Sequence, residues 1–257
     1  MVIKRRSPTD FFSKHASEYA ASSSHATGSD LDRLVELVRP EVSDLILDVA
    51  TGTGFTAFAL ADRAANVVAV DITSEMLQQA KLLANDRSSS NVHFGLIEAA
   101  HLSFLNSQFD AVTTRRAAHH FEDISAVLRE ITRVLKPGGR LGIVDMSPPE
   151  GAGAFVNQIE RIRDPTHARA LTPSEWQACI GEVGLKIVVI DVLPEEVTLE
   201  GWLYPVKMGG REEGEVRQAV GELNQSERDA LGLRINADYI EGWTKTRIII
   251  LAQKTLE

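Results

Sequence analysis

Cysteine is nearly missing from this chain. Among 257 residues only Cys179 is present, which excludes an internal disulfide and a cysteine-built zinc site. Nor is there an apolar run approaching the ~18 residues of a membrane-spanning helix. Basic residues precede Ser7 and Pro8 without an apolar stretch behind them, so no signal peptide is expected. Long Lys/Arg runs are lacking too, and 27 basic against 36 acidic residues leave a net charge of -9. Such a chain repels phosphate backbones, so nucleic-acid binding is not expected. There are no internal repeats. What is present is ordinary for a folded protein, with 44% hydrophobic and 25% charged residues, enough for a sizeable core. A reducing, cytoplasmic setting fits.

The periodicity changes along the chain. Thr9 to Ala21 and Asp30 to Val38 have helical spacing, with Ser29 as candidate cap and Pro40 as stop. Short apolar runs then alternate with helical stretches. Leu45–Val49, Val67–Asp71, Val92–Leu96, Ala111–Thr114 and Leu141–Val144 read as strands. Phe55–Ala64, Ser74–Asn85 and Ile124–Leu135 read as helices. This alternation predicts an α/β fold, a mostly parallel sheet with helices on both faces. Beyond Met146, a capping box at Thr172-Pro173-Ser174-Glu175 opens a helix that Gly184 closes. Leu185–Val192 and Thr246–Lys254 read as last strands, with a charged helical insertion between them that looks like a mobile cap. The expected organisation is N-terminal helices over the site (1–40), a core (41–146), a cap insertion (147–184) and last strands with a helical insertion (185–257), all in one structural domain.

Asp48-Val-Ala-Thr-Gly-Thr-Gly54 follows the first strand and opens a helix, and its glycines allow a ligand close to the backbone. Asp71 ends the second strand, where an acid can accept both ribose hydroxyls. A dinucleotide fingerprint requires G-x-G-x-x-G; Ala50, Gly52 and Phe55 occupy those positions, so a nicotinamide enzyme is disfavoured. Asp48 suits a cationic ligand better than a diphosphate.

Asp48 to Gly54 resembles motif I of class I S-adenosylmethionine (SAM) methyltransferases, with Ala50 in place of the first glycine. Val68 to Leu77 resembles the second motif. Glu98-Ala-Ala-His-Leu-Ser-Phe104 is similar to the family's D-A-x-x-L-P-F stretch, Glu98 replacing Asp. Arg133-Val-Leu-Lys-Pro-Gly-Gly-Arg-Leu141 resembles the turn before the fifth strand. The match runs in order from Leu45 to Met146. Arg116 to Phe121, Val144 to Glu150, Arg163 to Arg169 and the opening Phe12 to Tyr19 resemble the type-11 group related to ubiquinone/menaquinone-biosynthesis methyltransferases.

The resemblance implies a Rossmann-like fold with an α-helical cap, SAM as cofactor and S-adenosylhomocysteine as product. It implies a cofactor site from Tyr19, Asp48, Ala50, Thr51, Gly52, Gly54, Asp71, Ile72, Met76, Glu98, Ala99 and Arg115. Asp71 would hold the ribose, Asp48 the methionine ammonium, Ile72 and Met76 the adenine faces, and Glu98 with Ala99 the adenine edge. His119 or His120 could take the acceptor's proton, although in-line positioning alone can carry much of such catalysis. Asp164, His167 and Arg169 are candidate contacts to a small-molecule acceptor. No metal is expected, because adjacent histidines need not converge. Trp202 and Tyr204 could line an apolar acceptor pocket, Cys179 reads as inert core, and a homodimer is an open expectation. Two alternatives stay open, a SAM-binding protein running another reaction such as a cyclisation and a non-catalytic SAM sensor or partner-binding protein.

Overall fold

The structure is a computed structural model that describes residues 7–203, 208–237 and 239–256. Its centre is an eight-stranded sheet. In chain order the strands are β1 (Leu45–Val49), β2 (Asn66–Asp71), β3 (Val92–Leu96), β4 (Phe109–Arg115), β5 (Leu135–Met146), β6 (Leu185–Thr198), β7 (Arg234–Asn236) and β8 (Tyr239–Lys254). Their spatial order is β3-β2-β1-β4-β5-β8-β6, with β7 paired to β8. The first five pair in parallel, and β8 runs antiparallel between β5 and β6. Order reverses between β1 and β4, the switch point outside which ligands of such sheets bind.

Both faces of the sheet are buried, and alternation along each strand sorts side chains between them. Leu47, Ile143, Ile248 and Ile250 join α6 (Ile124–Val134) and α8 (Pro173–Glu182) on one face. Ile46, Val144 and Ile249 join α3 (Ser29–Val38) and α4 (Phe55–Ala61) on the other. Helix α3 lies close on the sheet because β5 has a glycine there. A Cβ on Gly142 would sit 2.7 Å from both Leu34 and Val38.

Helices α1 (Pro8–Ala20), α2 (Ser23–Ala26) and α3 precede the sheet, and α5 (Ser74–Arg87) follows β2. The cap of α3 is Gly28, not Ser29, which is already helical. The helix reading of α6 ends one residue early, at Val134, because β5 begins at Leu135 and takes up the whole Lys136–Gly139 turn as an irregular strand. The capping box of α8 forms as its sequence predicts.

A third apolar cluster is separate from the sheet faces. Phe155 and Ile159 of α7 (Gly153–Arg163) meet Trp202 of α9 (Leu199–Leu203), Val216 of α10 (Arg211–Gly221) and Trp243 of β8. A further short helix, α11 (Gln225–Ala230), completes the insertion. Trp202 donates its indole N–H to Glu160 and belongs to this core; Tyr204 lies outside the described residues. Among the described residues, none after Val127 lines the main cavity. The roof of that cavity comes instead from α1 and α2.

Candidate active site

A cavity of about 600 Å³ opens at the carboxyl ends of β1, β2 and β4, within the usual range of about 300–1,000 Å³ for ligand pockets. Its floor includes Ala50, Thr51, Gly52, Asp71, Ile72 and Met76, with Glu98 and Ala99 at one side and Arg115, Arg116, His120 and Phe121 at the other. Phe12, Tyr19 and His25 close it from above.

The turn after β1 is built for close approach. Ala50 sits at φ 55 and Gly52 at φ 56, both left-handed. That conformation costs an alanine but not a glycine. Gly54, at φ 90, opens α4, and a Cβ there would fall 2.9 Å from Phe58. Gly54 therefore shapes the turn and does not itself line the cavity.

Asp71 accepts from the Gly52 N–H at 2.8 Å and the Thr73 N–H at 2.8 Å, one per carboxylate oxygen. Each oxygen keeps an acceptor position, so the carboxylate can take two ribose hydroxyls. Burial raises its pKa against those hydrogen bonds. Asp48 is placed differently from the reading as an ammonium ligand. It is buried below the floor, accepting from the hydroxyls of Thr51 at 2.6 Å and Thr113 at 2.7 Å. Burial pushes its pKa up to about 6. Glu98 is more than half exposed and bonds His101 at 3.2 Å.

The two histidines converge, contrary to the expectation from adjacency. Their rings are 4.0 Å apart because a short 3₁₀ turn (Ala118–His120) folds them together. Asp145, at the end of β5, accepts from the His119 backbone N–H at 3.0 Å and pairs with the His119 ring at 2.5 Å. Burial opposes charge on His119, but Asp145 beside it raises the pKa on balance. His120 is pushed down to about 3, by burial and then by the neighbouring His119 charge. It packs edge-on against Phe12 at 5.1 Å.

Asp164 completes a cluster whose ligand atoms on His119, His120 and Asp164 lie within 4.8 Å of one another, a spacing a divalent cation could bridge. His167 is placed behind His119, 1% exposed, its ring stacked 5.7 Å away. It bonds Asn157 at 2.7 Å, and burial with the His119 charge lowers its pKa to about 4. Arg169 pairs with Glu175 at the surface. Neither His167 nor Arg169 lines the cavity.

Sequence reading missed Asp30. Only 1% exposed, it is held between Arg115 and Arg116. An acid in the first turn of a helix ordinarily serves the dipole; the only further signal was the arginine pair at the end of a strand. Asp145 stood within a quoted motif, but nothing in one sequence ties it to His119.

Residues 47–143 match the family model described as a methyltransferase domain. YcgJ of Bacillus subtilis (strain 168), an uncharacterized methyltransferase, is 34% identical over 221 residues, 85% of this chain and 86% of that one. This chain belongs to the SAM-dependent methyltransferase family. The crystal structure of YcgJ matches with a TM-score of 0.79 at 29% identity, covering 88% of this methyltransferase and 98% of that chain. A demethylmenaquinone methyltransferase of Thermus thermophilus is 41% identical over 138 residues, 51% of this methyltransferase and 62% of that one. The fold alone is shared with the [4+2]-cyclase SpnF, at TM-score 0.60 and 20% identity, with 88% and 80% of the two chains covered. SAM is accordingly the cofactor of this methyltransferase. The carboxylate of Asp71 at the cavity floor fits it, with acceptor positions left for a diol.

Proposed function

We propose that this methyltransferase moves a methyl group from SAM to a small organic acceptor in a cytoplasmic setting, with His120 receiving the acceptor's proton. One observation carries the reading. A single cavity joins Asp71 and Gly52 at one end to His120 at the other, so cofactor and acceptor can share one enclosed space. Bound SAM supplies an electrophilic methyl on a sulfonium. Asp71 holds the ribose, and Ile72 and Met76 hold the base between apolar groups. Phe12, Tyr19 and Phe121 exclude water and leave room for an apolar or planar acceptor.

The acceptor's nucleophilic atom takes the methyl and must lose its proton. Asp145 beside His119 raises its pKa, whereas burial and the His119 charge push His120 down to about 3, so His120 is neutral at neutral pH. A weak base suffices for a hydroxyl acceptor, because a methylated hydroxyl is itself a strong acid until it is deprotonated. The demethylmenaquinone relative supports quinols and phenols as first acceptors to try. The SpnF likeness keeps a cyclisation as the second reading, since this fold hosts one.

The decisive experiment pairs calorimetry with turnover. Wild type should bind SAM and S-adenosylhomocysteine, and Asp71→Ala should abolish that binding without unfolding the protein. His120→Ala should keep S-adenosylhomocysteine affinity within about twofold and lose roughly 10²- to 10⁴-fold in kcat. Acceptor conversion without release of S-adenosylhomocysteine would replace methyl transfer by the second reading.

A further inference from the structure

Receiving a proton requires one ring nitrogen, yet three side chains converge at the histidine pair. His119 and His120 come from the 3₁₀ turn after β4, and Asp164 from the end of α7. The two segments are tied together, because the His119 carbonyl accepts the backbone N–H groups of Ala168 at 2.8 Å and Arg169 at 3.1 Å. One ligand atom from each of the three side chains lies within 4.8 Å of the others.

Each of the three is oriented by a partner behind it. A carboxylate only accepts, so the His119 ring donates from Nδ1 to Asp145 at 2.5 Å. Asp145 is itself fixed by the backbone N–H groups of His119 at 3.0 Å and Met146 at 2.7 Å. Thr166 has one hydroxyl hydrogen and gives it to Asp164 at 2.6 Å. It therefore accepts from Nδ1 of His120 at 3.0 Å. With Nδ1 protonated in both rings, the lone pair of each neutral imidazole is on Nε2. The Thr166 backbone N–H holds the same Asp164 oxygen at 2.8 Å. An imidazole backed by a carboxylate is the usual setting of a metal-ligating histidine.

We propose that His119, His120 and Asp164 form a binding site for one divalent transition cation, held by Nε2 of each ring and a carboxylate oxygen. Two imidazoles and one carboxylate suit zinc and its first-row neighbours rather than magnesium, which prefers oxygen alone. Ligands on a tetrahedral zinc, at bonds of about 2.1 Å, stand about 3.4 Å apart, so the widest gap has at most ~1.4 Å to close. Two negative charges meet the cation, Asp164 directly and Asp145 through the His119 ring. Three protein ligands leave a coordination position for water or for a donor atom in the cavity, which His120 lines. The cation would take the nitrogen proposed above to receive the acceptor's proton, so a loaded site would hold back methyl transfer. That consequence depends on the base role of His120; the binding site does not.

The full chain, stripped with a chelator, is titrated with Zn²⁺ by calorimetry and with Co²⁺ by visible absorption. Neither titration needs cofactor or acceptor. One tight Zn²⁺ per chain should bind, and Co²⁺ should give the intense visible bands of a low-coordinate site. Asp145→Asn should weaken zinc roughly 10- to 100-fold. Asp164→Asn, which keeps an oxygen for Thr166, should weaken it by more than that. In ¹⁵N-labelled protein, zinc should move the Nε2 resonances of His119 and His120 while both Nδ1 atoms stay protonated. Zinc affinity in Asp164→Asn within about twofold of wild type overturns the site and gives the binding to exposed histidines such as His93 and His101. So does displacement of zinc by an excess of Mg²⁺, which would exclude nitrogen ligands. Absence of both heat and visible bands at millimolar metal overturns it outright.

Discussion

At the scale of single residues, Ala50 marks a place where the turn is not at its best. Its φ of 55 is a conformation that glycine adopts freely and alanine does not. Ala50→Gly is expected to raise unfolding free energy by about 1 kcal/mol, read from urea denaturation, with S-adenosylhomocysteine affinity unchanged. A loss of stability would mean that the Ala50 methyl packs better than it strains. The site residues that the sequence revealed best were those whose chemistry is local. Gly52, Asp71, Ile72 and Met76 follow one another within a strand, a turn and a helix, and all line the cavity. Those it placed poorly depend on distant partners. Asp48 is claimed by Thr113, 65 residues away, and Asp30 by Arg115, 85 residues away. A single sequence has no signal for pairings of that span.

At the scale of elements, period and punctuation exposed every strand of the parallel half, because a strand buried on both faces is a short apolar run. The β7 strand and the far halves of β6 and β8 were harder. Residues such as Pro194, Glu195 and Glu196 pair with β8 beyond the core, where exposed polar residues mask the alternation. The capping box was plain in sequence, and it permits a direct check. Thr172 accepts the Glu175 N–H while Glu175 accepts the Thr172 N–H. Thr172→Ala should cost about 1 kcal/mol in unfolding free energy, with Thr172→Asp restoring most of it. Gly142 tests the packing of α3. Gly142→Val should destabilise by about 3 kcal/mol or more, because its Cβ alone would meet the buried Leu34 and Val38 at 2.7 Å.

At the scale of the whole molecule, acid should be felt as a sum. His25 and His167 are held near 4 and His120 near 3 in the folded protein, against about 6.5 when unfolded. Between these values the unfolded chain binds protons that the folded one refuses, so stability is fully present above pH 6.5 and falls as pH drops toward 4. Three groups oppose the trend, one of them Asp71, raised by burial. Asp48, raised to about 6, gains stability as pH falls from about 6 to 4. His119 is raised, so its contribution is complete below pH 6.5 and is lost as pH rises through its folded value. The net expectation is a decline in unfolding free energy between pH 6.5 and 4, measured by urea titration at a series of pH values. His167→Gln should flatten that slope by close to one proton. An unchanged slope would show that His167 is protonated within the fold.

The order of strands carries a consequence for synthesis on the ribosome. Strand β6 emerges before β8, yet in the finished sheet it touches β5 only through β8. Until β8 is translated and threaded between them, the nascent chain holds two unpaired edges, on β5 and on β6, next to partly apolar residues such as Ile187 and Ile190. Chaperone dependence and premature aggregation during expression are therefore problems of this interval, and a pause in translation between Thr198 and Tyr239 would lengthen it.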